Sequence, residues 1–252
     1  RMTKYIEYFL CTFVCILVSS CHQNAKEVRF NDLSDDIGET VLPDTSFADV
    51  SDKTIAVQQT SSSVLDGEQI FQRYGSSVFM VFTSDGTNEY QGSGFFIGED
   101  GLAVSNYHVF KGTAIGQESI HLSGDQTQYK VTEIIHRDEV NDFILFRVNV
   151  SNNGYIPLSA KKPAVGTKVY AIGSPHGLEN TLSSGDVSQW RTEFLMQTSV
   201  PIDHGSSGGA LIDKYGGAVG ITSGTLDQTS NANLNYAISV EVLKPYLTFD
   251  EQ

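Results

Sequence analysis

The sequence predicts an all-β fold of two six-stranded antiparallel barrels, with a short helix before the first and another after the second. Three observations carry this. Apolar and polar residues alternate over short runs, the runs are cut by Gly, Asn and Asp, and they fall into two sets of six on either side of a linker at 149–166. Successive side chains of a strand point to opposite faces, so each such run can put one face on a core and the other in water. The first set comprises 78–83, 93–98, 102–105, 119–122, 129–135 and 143–148. The second comprises 168–172, 181–189, 194–198, 209–212, 218–223 and 236–239. Glu99-Asp100-Gly101 between two runs reads as a hairpin, because glycine supplies the positive φ of a tight turn. Asp66 followed by Gln69 forms a capping-box pattern that opens a short helix through Ile70 and Phe71, ending near Gly75. Ser239 is placed to cap a closing helix through Val242, Leu243 and Tyr246.

At 252 residues, 40% hydrophobic and 18% charged, the chain can bury one full-sized core with accessory segments to spare. Thirty acidic against sixteen basic residues give a net charge of -14, which repels phosphate backbones, so no nucleic-acid partner is expected. The three cysteines, Cys11, Cys15 and Cys21, lie at the very start, where Lys4 precedes an apolar run over 5–18 broken by Glu7. That layout is a signal peptide over 1–20. Val18-Ser19-Ser20-Cys21 resembles a bacterial lipobox, which implies a lipid on Cys21 and a protein anchored to a membrane of the bacterial cell envelope, facing the periplasm or the exterior. An ordinary signal peptide or an uncleaved anchor are the other readings of the same residues. Cleavage before Cys21 would leave no second thiol, so the core must hold without a disulfide. Residues 22–63 are polar and acidic with little periodicity; such a segment cannot offset its ordering entropy and reads as a disordered linker. The folded part is then 64–250.

The chemistry-bearing residues are a serine, a histidine and an aspartate. Gly205-Ser206-Ser207-Gly208-Gly209 sets Ser207 among glycines that let the backbone bend, so the amides of Gly205 and Ser207 can point at one site. By itself the pentapeptide is equally a flexible turn. A serine nucleophile needs a base, and Ser105-Asn106-Tyr107-His108-Val109 offers His108, whose imidazole can accept a proton and return it near neutral pH. Asn141-Asp142-Phe143-Ile144-Leu145 offers Asp142 at the head of an apolar strand as the carboxylate that orients the imidazole, with Asp138 as its nearest competitor. The chain order His, Asp, Ser is that of the chymotrypsin-like arrangement.

These segments together resemble HtrA-type trypsin-like serine proteases. Gln91-Gly92-Ser93-Gly94-Phe95-Phe96 precedes the histidine segment as a Gly-Ser-Gly-Phe strand does in that family. Between aspartate and serine come Ala171-Ile172-Gly173-Ser174-Pro175-His176-Gly177-Leu178 and Ser184-Gly185-Asp186-Val187-Ser188; after the serine come Gly220-Ile221-Thr222 and Asn235-Tyr236-Ala237-Ile238. The resemblance implies a chymotrypsin-like double barrel and a serine endopeptidase acting on protein or peptide substrates. It assigns the catalytic triad to His108, Asp142 and Ser207, and the oxyanion hole to Gly205 and Ser207. It places the first specificity pocket at Pro201, Ile202, Asp203 and His204 together with Ile221, Thr222, Ser223 and Gly224, which favours small or medium apolar side chains.

The pattern also breaks in places. Ser206 stands where pancreatic-type proteases have aspartate, so a newly cut amino terminus has no carboxylate to pair with there. Most HtrA relatives continue into PDZ domains; here the sequence given ends after the closing helix, and no PDZ-mediated partner is expected. His204 and His176 read as loop side chains, and with no cysteine or histidine spacing of a zinc site, neither a metal nor another cofactor is expected. A catalytically silent protein of the same fold, acting as a binding module, is the competing reading.

Overall fold

The computed structural model describes residues 54–55, 63–114, 116–177, 180–224 and 234–249. The expected signal peptide, Cys21 and nearly all of the expected acidic linker lie outside the described residues. Strand β1 (Thr54–Ile55) pairs in parallel with β15 (Thr248–Phe249). Helix α1 (Gly67–Tyr74) begins as the capping box predicts: the Asp66 carboxylate accepts the Gln69 amide at 2.9 Å, and Gln69 Oε1 accepts the Asp66 amide at 3.0 Å. Ile70 and Tyr74, four apart and thus on one face, are buried.

The first barrel is built from β2 (Val78–Ser84), β3 (Glu89–Phe96), β4 (Leu102–Ser105), β5 (Ser119–Leu122), β6 (Gln128–Tyr129), β7 (Val131–Asp138) and β8 (Phe143–Val148). They form a seven-stranded sheet in the order β6-β5-β2-β3-β4-β8-β7. Its two edge strands are consecutive in the chain, separated only by Lys130, so the run expected at 129–135 is one bent strand that joins both edges. The chain itself links the two edges there, and no strand pairing closes this sheet among the described residues. The bend takes the Val131 amide out of line, and a buried carboxylate receives it: Glu118 Oε1 accepts Val131 N at 2.8 Å and Oε2 accepts Gly116 N at 2.8 Å, while Lys130 Nζ donates to the Glu118 carbonyl. At the hairpin, Asp100 and Gly101 both have positive φ (53° and 74°), and Leu102 N returns to Glu99 O at 3.3 Å. A Cβ on Gly101 would lie 2.0 Å from the Val148 carbonyl oxygen, which makes glycine obligatory.

The second barrel closes by hydrogen bonding. Strands β9 (Lys168–Gly173), β10 (Thr181–Trp190), β11 (Leu195–Thr198), β12 (Ala210–Asp213), β13 (Ala218–Gly224) and β14 (Asn235–Ser239) form a ring in the order β10-β11-β14-β13-β12-β9. The closing helix over Val240–Tyr246 is 3-10 in geometry, with Ser239 Oγ accepting Glu241 N at 3.3 Å and Pro245 near its end. Each barrel has an apolar interior of its own, around Phe79, Phe96 and Phe146 in the first and Val169, Leu211 and Met196 in the second. A third cluster draws on both, packing Phe95, Phe143 and Leu145 with Ile172, Ile212 and Ile221, covered by Ile70 of α1 and Leu243 of the closing helix. This shared layer fixes the seam along which the candidate site lies.

Candidate active site

Strand β4 delivers Asn106 and then a single helical turn, α2 (Tyr107–Phe110), which carries His108 to the edge of the first barrel. Asp142 sits in the turn between β7 and β8 with φ 52°, a left-handed conformation that aspartate tolerates better than most residues. Buried Asn106 holds that turn by donating from Nδ2 to the Asp142 carbonyl at 2.9 Å. The carboxylate then meets the histidine squarely: Nδ1 lies 2.8 Å from Oδ2 and 3.0 Å from Oδ1, and the His108 backbone amide donates to Oδ1 at 2.9 Å. A carboxylate on Nδ1 selects the tautomer with its proton there and leaves the Nε2 lone pair for the cleft. A further donor comes from the other barrel, where the Ser223 hydroxyl reaches Asp142 Oδ2 at 3.0 Å.

Asp138, the competing carboxylate, is occupied in a turn of its own. Its Oδ1 accepts the amides of Val140 and Asn141, both at 2.9 Å, and its Oδ2 accepts Asn141 Nδ2 at 2.7 Å. Partial burial works to raise its pKa, but the Asn141 side chain and amide, the Val140 amide and the neighbouring His136 reverse this and hold it below the usual carboxylate range.

Ser207 lies in a loop that enters β12. Ser206 N donates to Asp203 O at 2.9 Å, Gly209 N to Ser206 O at 2.9 Å and Gly208 N to Thr222 O at 2.7 Å. Gly208, at φ 89°, could not be another residue: a Cβ there would sit 2.0 Å from Ser93 O and 2.4 Å from Ser105 Oγ. Strand β3 braces the loop from the first barrel, with Ser93 N donating to Ser207 O at 2.7 Å, and it holds the neighbouring end of β9 through Gln91 Nε2, which donates to Ser174 O at 2.8 Å. A cleft of about 540 Å³ is lined by His108, Gly205, Ser207, Ser223 and Gly224, together with the carboxylate-bearing Glu89 and Asp203. The structure therefore brings His108, Asp142 and Ser207 to one seam. Among the described residues the hydrogen bonds of the site run from Ser223 through Asp142 to His108, and none joins the Ser207 hydroxyl to the imidazole.

Residues 92–221, just over half of the chain, match the profile of the trypsin-like peptidase domain. The chain belongs to the trypsin-like peptidase family. The chain is 27% identical to a protein of Halomonas elongata named a probable periplasmic serine endoprotease, DegP-like, over 96% of this chain and 53% of that protein. It is 29% identical to the serine endoprotease DegS of Haemophilus influenzae over 62% of this chain and 48% of the relative. The chain thus spans about half the length of these two relatives. A serine endoprotease structure from Yersinia pestis superposes with a TM-score of 0.63 at 22% identity, covering 73% of this chain and 66% of that one, which supports the double-barrel fold.

The residues expected to form the specificity pocket divide. Ile202, Asp203, His204, Ser223 and Gly224 line the cleft that holds Ser207. Pro201, Ile202, Asp203 and Thr222 line an adjoining cavity of about 710 Å³ with Ile172 and Asn235. Ile221 lines neither, because it is fully buried in the layer shared by the barrels. Alternation turns Ile221 away from Thr222, which lines the adjoining cavity, and the pairing of β13 with β14 shifts register between Thr222 and Gly224, where Ser223 reaches the cleft. His204 is exposed at the cleft margin, and His176 falls in the short 3-10 turn Pro175–Gly177. Ser223, expected in the pocket wall, also bonds Asp142, and Gln91 and Ser93, in the segment that carries the family resemblance, are braces that nothing in their local sequence marks. Among the described residues no group of three or more His, Cys, Asp or Glu is placed to hold a metal ion.

Proposed function

We propose that this trypsin-like domain is a serine endopeptidase with Ser207 as nucleophile, His108 as general base and acid, and Asp142 as the group that orients His108. The observation that carries the reading is the clamp of Asp142 on His108 Nδ1, at 2.8 Å, in the cleft that also holds Ser207. The Ser207 hydroxyl attacks the peptide carbonyl while His108 Nε2 takes its proton. The tetrahedral oxyanion accepts hydrogen bonds from the amides of Gly205 and Ser207, and collapse expels the amine with the proton from His108. Water, deprotonated by the same nitrogen, then releases the acyl group. Catalytic hydrogen bonds are often long before substrate arrives and tighten in the complex, so a Ser207 hydroxyl unbonded to the imidazole fits the free enzyme. Gly224 supports substrate access: a Cβ built on it would lie 3.6 Å from Ser207 Oγ, so its bare backbone leaves room beside the nucleophile.

The apolar Ile202, which lines both the cleft and the adjoining cavity, favours a small or medium apolar residue before the cleaved bond. Unfolded or damaged proteins of the bacterial envelope are the proposed substrates, and a lipid on Cys21 is the proposed anchor; the periplasmic name of the Halomonas relative and the lipobox-like segment support this location. Loss of palmitate incorporation in Cys21→Ser, with the wild type labelled, would bear the anchor out, and an unlabelled wild type would refute it. For the activity, the wild type should degrade casein and Ser207→Ala should not, with stability changed by less than about 1 kcal/mol because a cleft hydroxyl contributes little packing. Turnover retained by Ser207→Ala would overturn the proposal. The unbonded Ser207 hydroxyl also favours a second reading, a silent binding module of the same fold; in that case a folded wild type leaves casein intact.

A further inference from the structure

Two buried hydroxyls, one from each barrel, grip the backbone of the loop that carries Ser207. Thr222 Oγ1 donates to the Ser206 carbonyl at 2.6 Å, and Ser93 Oγ donates to the Gly205 carbonyl at 2.7 Å. Thr222 is 1% exposed and Ser93 is 0% exposed, so neither hydroxyl is available to solvent. Ser93 Oγ also accepts the Ser174 amide at 3.0 Å, which ties the grip to the end of β9.

The consequence follows from peptide geometry. A trans peptide is planar, so the N–H of one residue points opposite to the C=O of the residue before it. Fixing the Ser206 carbonyl therefore fixes the direction of the Ser207 N–H. That carbonyl is held twice, by the Thr222 hydroxyl and by the Gly209 amide at 2.9 Å. The preceding peptide is pinned at both ends, its carbonyl on Ser93 and its Ser206 N–H on Asp203 O at 2.9 Å. That pin sets the position of the Gly205 α-carbon, so only the φ and ψ of Gly205 remain to direct its N–H. The two amides assigned to the oxyanion are those on either side of the gripped carbonyls.

We propose that the Thr222 and Ser93 hydroxyls are positioning groups that orient the oxyanion amides before substrate arrives. The inference rests on the endopeptidase reading above and deepens it: preorganised donors stabilise the transition state more than the bound substrate, so their orientation governs kcat. Neither residue touches substrate in this account. The Thr222 hydroxyl is turned to the loop although the residue also borders the adjoining cavity.

Thr222→Val removes the hydroxyl at nearly constant volume, and Thr222→Ser keeps the hydroxyl while losing the methyl. In the full chain, Thr222→Val should lower kcat about 10-fold or more with KM within about twofold, and Thr222→Ser should recover most of the loss. Ser93→Ala should act in the same direction, and it decides the matter if Thr222→Val fails to fold. Ser159→Ala, which removes a similarly buried hydroxyl bonded to Asp213 in the second barrel, serves as a control for stability and should leave kcat unchanged. Hydrogen–deuterium exchange over 203–209 provides a readout independent of turnover: faster in Thr222→Val and Ser93→Ala, unchanged in Thr222→Ser. Equal impairment of the Val and Ser variants would assign the effect to the methyl, and unaltered exchange and kcat in Thr222→Val and Ser93→Ala would likewise overturn the inference. A wild type that hydrolyses nothing would defeat the endopeptidase reading, and the exchange comparison would still decide whether the hydroxyls hold the loop.

Discussion

The Asp142 carboxylate is surrounded by donors from both barrels: the His108 backbone amide, the His108 ring and the Ser223 hydroxyl. Replacing it by asparagine keeps the volume but presents an amide that can favour the wrong imidazole tautomer. Asp142→Asn should therefore leave the fold intact and lower turnover by about 10³- to 10⁴-fold. Asp138→Asn should do the reverse, sparing turnover and weakening the turn before β8, as measured by casein hydrolysis beside thermal melts. The Asp138 carboxyl titrates lower in the folded chain than in an unfolded one, so its stabilising contribution is present above the unfolded value and disappears as pH falls through the folded one. The stability gap between wild type and Asp138→Asn should accordingly narrow in acid. A greater loss of turnover in Asp138→Asn would reverse the two assignments. His108, Asp142 and Ser207 could be picked out from sequence because each sits in a distinctive local string. Ser223 could not be seen as a partner of Asp142, since 81 residues separate them and nothing local to either marks the contact.

Elements follow their local chemistry where that chemistry is strong. The Asp66–Gln69 box is reciprocal in the structure, and Asp66→Ala should cost about 1 kcal/mol, read as a lower thermal midpoint with turnover unaffected. An unchanged midpoint would mean that packing of Ile70 and Tyr74 holds the helix without its cap. Most strands lie within a residue or two of the expected runs, because alternation over a half-buried strand is set by the sequence itself. Strand β3 is the instructive exception, beginning at Glu89 where the pattern placed its start at Ser93. Gly92 falls just before the expected run and Gly94 inside it, and tertiary contact demands both: a Cβ at 92 would lie 2.7 Å from both Val109 methyls, and one at 94 would lie 2.4 Å from the Phe79 ring. The bend at Lys130 was equally hidden, since the Glu118 carboxylate that supports it comes from a different strand's approach.

At the scale of the whole molecule, the site exists only where the barrels meet. The first supplies His108, Asp142 and the Ser93 brace; the second supplies Ser207, Ser223 and Thr222. The architecture was legible because period-two runs in two sets of six leave few alternatives for burying so many half-apolar strands. The pocket walls were less legible, because which face of β13 meets the cleft depends on register within a closed barrel, and that places Thr222 toward the loop and Ile221 in the core. The proposed function requires that this seam activate one serine among the many in the chain. Treatment of the folded full chain with a fluorophosphonate, followed by peptide mapping, tests it most directly. A serine endopeptidase should give a single adduct on Ser207 that is strongly reduced in His108→Ala; a folded wild type that takes no label, or takes it at another residue, would contradict that function.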